Sequence, residues 1–135
     1  MTYLITGGAG FIGSNFIHYM LREHSQDNII CLDALTSAGN LNSLVGAFEN
    51  DQFTFIKGDI ACEKDVNTVF ERERPDMVIN FAAESHVDRS IQDSQAFLKT
   101  NVYGTQVLLE ACKKYSVRRF HQISTDEVYG DLPTN

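Results

Sequence analysis

Eight residues near the start of the chain, Thr6-Gly7-Gly8-Ala9-Gly10-Phe11-Ile12-Gly13, leave it few folds to choose from. They follow a short apolar run at 3–6 and precede a stretch, 11–23, in which Ile12, Phe16 and Met20 recur every four residues with Tyr19 beside them. A strand therefore runs through glycines into a helix. The loop satisfies G-x-G-x-x-G at Gly8, Gly10 and Gly13, and also G-x-x-G-x-x-G at Gly7, Gly10 and Gly13. Glycine is needed where such a turn takes positive φ, where backbone must approach a pyrophosphate, and where helix packs on strand. The helix start then aims free N–H groups and the positive end of its dipole at the phosphates. By itself the motif also fits a glycine-rich turn without a ligand; its place between strand and helix favours dinucleotide binding.

The remainder repeats the alternation. Strands are expected at 28–33, 53–57, 76–81 and 119–124, and the near-continuous hydrophobicity of 28–33 suits a strand covered on both faces. A polar loop at 34–42 leads to a short helical piece at 44–48. Cys62, Val66, Val69 and Phe70 stripe a helix closed by Pro75, and Leu98, Val102, Thr105, Leu109 and Cys112 stripe another over 94–115. Residues from 82 to about 93 and 125–135 read as loops. Strands alternating with helices predict a doubly wound, parallel α/β sheet of order 3-2-1-4-5, Rossmann-like, in one domain of 135 residues.

Ligands of such sheets sit beyond the carboxyl ends of the strands, so Asp33, Asp59, Phe81-Ala82-Ala83 and Ser124-Thr125 should line one crevice. Asp33 closes the second strand 20 residues after Gly13, where a carboxylate accepts hydrogen bonds from ribose hydroxyls. The same charge repels a 2′-phosphate and so favours NAD over NADP. A turn aspartate at a strand end is the plainer reading of Asp33, and Gly58-Asp59-Ile60 alone is merely a turn. The net charge of -7, from 11 basic and 18 acidic residues, argues against a nucleic-acid partner, whose phosphates need clustered Lys and Arg. Three dispersed cysteines, Cys31, Cys62 and Cys112, read as buried reduced thiols in a cytoplasmic protein. No apolar run approaches a membrane span. His18, His24 and His121 lack metal-ligand spacing, and His86 reads as a loop histidine.

With the glycine loop, three further stretches carry a resemblance: Asp33-Ala-Leu-Thr-Ser-Ala-Gly-Asn40, Ala82-Ala-Glu-Ser-His-Val-Asp-Arg-Ser-Ile91 and Ser124-Thr-Asp-Glu-Val-Tyr-Gly130. The chain resembles the extended short-chain dehydrogenase/reductase family, and within it the dTDP-glucose 4,6-dehydratases, along its whole length. Ser37 departs from the tyrosine usual there. The resemblance implies NAD as cofactor, held by Gly7, Gly10, Phe11, Ile12 and Gly13 at the pyrophosphate and by Asp33, Ala34, Leu35 and Thr36 at the ribose. It places Asp59 and Ile60 at adenine, and Phe81, Ala82, Ala83, Glu84, Ser85 and Thr100 at the nicotinamide. Ser85 and Thr125 would touch the sugar nucleotide; Thr125, Asp126 and Glu127 would be catalytic, Glu127 as base and Asp126 as acid.

The same family needs a Tyr-x-x-x-Lys pair. No tyrosine here has lysine four residues on: Tyr115 is followed by Arg119 and Tyr129 by Pro133. The resemblance therefore implies the N-terminal, cofactor-binding part of a longer dehydratase, cut before a sixth strand and a sugar-nucleotide-binding region, inactive by itself and homodimeric when intact. Another sugar-nucleotide dehydratase or epimerase, or a non-catalytic NAD-binding module, are the alternatives.

Overall fold

A computed structural model of the chain describes residues 1–36 and 38–130, with the main chain alone at Val87, Arg89 and Glu127. Five strands, β1 (Thr2–Thr6), β2 (Asn28–Asp33), β3 (Phe53–Lys57), β4 (Met77–Asn80) and β5 (Arg119–Gln122), form one sheet of order β3-β2-β1-β4-β5. Every pairing is parallel, as the alternation of patterns requires.

Side chains leave successive strand residues on opposite faces, and the core divides accordingly. Leu4, Ile30, Leu32 and Val78 point to one face, where they meet Val66, Val69 and Phe70 of α2 (Glu63–Glu73) and Val107, Leu108 and Ala111 of a C-terminal helix. Ile5, Ile29 and Cys31 point to the other, under Ile17, Met20 and Leu21 of α1 (Phe11–Glu23) and Leu44 and Ala47 of a 3-10 helix (Leu41–Glu49). Helices on both faces explain why β2 reads as an unbroken apolar run.

Several local expectations change. The stretch from 82 to 93 is not all loop: α3 (Val87–Gln92) forms within it. The helix expected over 94–115 is three segments, α4 (Ser94–Phe97), a π-helical stretch (Leu98–Gly104) and α5 (Thr105–Lys114). Its striped residues Leu98, Val102 and Leu109 face solvent, and the packed face is Gly104, Val107, Leu108, Ala111 and Cys112. An extra residue in a π turn shifts a helix's faces. Gly104 also requires this register, because a Cβ there would stand 2.7 Å from Ile60 Cγ1. In α1, Ile12 and Tyr19 are likewise exposed, and Gly13, Ser14, Ile17, Met20 and Leu21 are the buried face. Strands β4 and β5 stop at Asn80 and Gln122, and a 3-10 turn (Asp126–Tyr129) follows in what read as loop.

Candidate functional site

Because all strands run parallel, Thr6, Asp33, Lys57, Asn80 and Gln122 end them at one edge of the sheet. Every sequence-predicted site residue except Thr100 lies in the segments that leave this edge, and Thr100 lies on the π-helical stretch beside them.

The glycine loop is built by hydrogen bonds from β2. Gly7 N–H donates to the Leu32 carbonyl at 3.0 Å, and Gly10 N–H turns back onto the Gly7 carbonyl at 3.2 Å. α1 then starts abruptly: Ser14 N–H donates to the Gly10 carbonyl at 2.9 Å, which leaves the N–H groups of Phe11, Ile12 and Gly13 outside the helical ladder. Its N-cap, Gly10, supplies no side-chain acceptor, and the first turn holds no acid. Phe11 and Ile12 are exposed. A Cβ on Gly13 would collide with the Gly7 carbonyl, so helix and loop touch there through bare backbone; among the described residues a Cβ on Gly10 would meet only Gly7 O, at 3.3 Å. Uncapped donors, a helix dipole and an unobstructed approach are what a pyrophosphate needs, so the residues present fit a dinucleotide.

Asp33 is buried, and both its oxygens are engaged. Oδ2 accepts Ala9 N–H at 2.9 Å and Oδ1 accepts Leu35 N–H at 2.8 Å. The carboxylate thus joins the glycine loop to the segment after β2, which returns through Asn40 N–H to the Ala9 carbonyl at 3.0 Å. Leu35 is held at φ 55, a left-handed conformation costly for a branched side chain and paired here with the Asp33 bond. Each oxygen keeps a lone pair for an incoming hydroxyl. Ser37 lies outside the described residues.

Around the other strand ends, Asp59 caps its own turn by accepting Ala61 N–H at 2.8 Å, and Lys99 stands 3.3 Å from its second oxygen. The loop after β4 is held by Asn101, which accepts Glu84 N–H at 2.8 Å and donates to the Glu84 carbonyl at 2.9 Å. Ala83, Ser85, His86 and Asp88 are exposed, while Phe81 is half-buried against Phe16, ring centroids 5.3 Å apart. Thr125 and Asp126 are exposed at the turn after β5; the Glu127 side chain lies outside the described residues. The sequence reading missed Asn80, Lys99 and Asn101. Asn80 had a visible signal, a polar residue inside an apolar strand that must find partners when buried. Lys99 and Asn101 had none, since their roles arise from the π-helical stretch.

Cys31 lies beneath the loop: a Cβ on Gly8 would stand 2.6 Å from its sulfur. Burial pushes this thiol up to about 12, with the Asp33 charge adding to the effect and a Gly8 backbone hydrogen bond opposing it. Burial alone lifts Cys112 to about 11, and Cys62 is only half-buried, against expectation. The thiolate is the reactive species, so native protein at about pH 8 should be alkylated at Cys62, with Cys31 and Cys112 reacting only in urea. Peptide mass mapping reads the order. Labelling of Cys31 as fast as Cys62 would mean the glycine loop opens freely.

A groove of about 310 Å³ between α2 and α5, lined in part by Glu63, Tyr103 and Lys114, contains none of the sequence-predicted site residues. On its rim Tyr103 Oη donates to Glu63 Oε1 at 2.8 Å and Lys114 Nζ to Asn67 Oδ1 at 2.9 Å.

Comparison with known proteins agrees with the geometry. The sequence model of the GDP-mannose 4,6 dehydratase family matches residues 4–135. The dTDP-glucose 4,6-dehydratase of Salmonella typhimurium is 47% identical over 142 residues, covering 98% of this chain and 39% of that protein. A solved dTDP-glucose 4,6-dehydratase from Streptomyces venezuelae, with NAD bound, superposes with a TM-score of 0.93 at 41% identity, covering 100% of this chain and 42% of the other. The UDP-glucose 4-epimerase of Thermotoga maritima superposes with a TM-score of 0.87 at 33% identity, covering 100% and 41%. The chain therefore spans about two-fifths of the length of the relatives it matches.

Proposed function

The chain belongs to the GDP-mannose 4,6 dehydratase family, and on that premise we propose that it is the NAD-binding domain, over residues 1–135, of an enzyme that dehydrates dTDP-glucose to dTDP-4-keto-6-deoxyglucose. The observation that carries this reading is the glycine loop locked to Asp33 beneath an uncapped, exposed helix start, in a chain 47% identical to a dTDP-glucose 4,6-dehydratase. NAD, when bound, supplies a hydride acceptor that can also return the hydride.

Each strand-end segment then has a task. The N–H groups of Phe11 and Ile12 would hold the pyrophosphate, Asp33 to Thr36 the adenosine ribose, and Asp59 and Ile60 the adenine. Residues 81–85 and Thr100 would line the nicotinamide side, with Ser85 and Thr125 also touching the sugar nucleotide. Glu127 would remove the proton at sugar C5 while Asp126 protonates the departing C6 hydroxyl. One carboxyl must be ionised and the other protonated, so the bound substrate has to push their pKa values apart. The adjacent Asp126-Glu127 pair favours dehydration over epimerisation. No Tyr-x-x-x-Lys lies in these residues, so turnover belongs to a longer protein that includes them and its sugar-nucleotide-binding region.

The exposed apolar row Leu98, Val102 and Leu109 supports pairing of two copies of the intact enzyme. No helix among the described residues is long and apolar enough to cross a membrane. The three free thiols support a cytoplasmic setting.

Calorimetry and turnover test the proposal together. The 135-residue chain should bind NAD and bind dTDP-glucose weakly or not at all. An intact enzyme containing it should make a 4-keto-6-deoxy product from dTDP-glucose and none from UDP-glucose. Absence of NAD binding, or conversion of UDP-glucose alone, would overturn it.

A further inference from the structure

Asn80 ends the apolar strand β4 and is fully buried. Its amide orientation follows from its neighbours. Ala82 N–H can only donate, so the atom 3.2 Å from it is the amide oxygen, which also accepts the Thr6 hydroxyl. The amide nitrogen is left facing along the sheet, where it donates to Gln122 Oε1 at 2.8 Å. Gln122 in turn donates from Nε2 to the Ile123 carbonyl at 3.2 Å. Gln122 is the last residue of β5, and the turn that begins with Asp126 closes when Val128 N–H meets the Thr125 carbonyl at 3.4 Å.

Among the described residues β5 pairs with β4 alone, and Gln122, Ser124, Thr125 and Asp126 are exposed. Besides the β4–β5 ladder and the backbone bond from Ile123 N–H to the Asn80 carbonyl, the Gln122 side chain makes a polar connection from the sheet interior to the exit of β5. We propose that Gln122 is a positioning residue for Asp126. With one end on a buried amide and the other on the Ile123 carbonyl, it holds the Asp126 turn in register with Thr6 and the glycine loop that follows. This rests on the reading of Asp126 as proton donor.

Two variants in an intact enzyme containing this chain test it. Gln122→Leu keeps the size and drops both bonds; Gln122→Glu keeps the acceptor for Asn80 and loses the donor to Ile123. In both, kcat for dehydration should fall roughly tenfold or more, as small misplacements of a reacting group do, with the sugar-nucleotide KM and NAD affinity within about twofold of wild type. Amide hydrogen exchange should accelerate at 123–128 and stay unchanged in β1 and β4. Unchanged turnover with unchanged exchange overturns the proposal. So does a parallel loss of NAD affinity and melting temperature, the signature of a sheet-wide structural role. A wild-type enzyme that dehydrates no sugar nucleotide defeats the functional reading instead, and exchange at 123–128 then decides alone whether Gln122 holds the turn.

Discussion

Gly7→Ala is expected to lower folding stability by about 3 kcal/mol or more and to abolish NAD binding, the sum of a left-handed backbone penalty and an overpacked contact. Gly7 sits at φ 68, and an added Cβ would lie 2.5 Å from Ala82 N, 2.6 Å from Ala82 Cα and 2.7 Å from Phe81 C. All three atoms are backbone, so no side chain can rotate away. Relief requires either the glycine loop or the start of the β4 loop to move, and these are the two walls between which a dinucleotide would lie. Gly130 separates the two causes. It shares the φ of 68 but, among the described residues, has nothing within 4 Å of its Cβ position. Gly130→Ala should therefore cost only the conformational part, about 1 kcal/mol, and leave NAD affinity alone. Urea unfolding and calorimetry on both variants read the difference; equal effects at the two positions would show that contact with Ala82 does not matter.

The order of strands and helices was legible because a parallel sheet covered on both faces writes two strong signals, apolar runs and helical stripes. Which helix face packs was less so. α1 and the helical stretch from Ser94 to Lys114 carry apolar residues on both sides, and Ile12, Leu98, Val102 and Leu109 are exposed. Periodicity finds a helix but cannot say which of two stripes meets the sheet when small residues such as Gly13 and Gly104 take the close contacts. The π-helical stretch has no composition signal, because it reflects how Gly104 and Ile60 fit. At the site, the glycine loop and Asp33 stood out by spacing alone. The polar bridge through Asn80 to Gln122 did not, since its partners come from three strands.

Asp33 braces the glycine loop and, in the proposed function, would also hold the cofactor's ribose, and a pair of variants separates the two. Its oxygens hold Ala9 and Leu35 by backbone hydrogen bonds in a buried setting. Asp33→Ala leaves both donors unpaired, and charge-assisted bonds of this kind predict a loss of about 2–3 kcal/mol of stability. It also removes the acceptor proposed for the ribose, so NAD affinity should fall about tenfold or more, a further kcal/mol beyond the folding effect. Asp33→Asn keeps one oxygen, which can serve Ala9 or Leu35 but not both, and its stability should lie between wild type and alanine. That variant removes the negative charge while leaving shape, so it should narrow the preference for NAD over NADP even where its NAD affinity falls. Calorimetry with both nucleotides measures this. Asp33→Ala with NAD affinity unchanged would take the carboxylate out of the cofactor site and leave it as the brace of the loop. Asp33→Asn with an unaltered NAD-to-NADP ratio would mean the 2′-position lies beyond its reach.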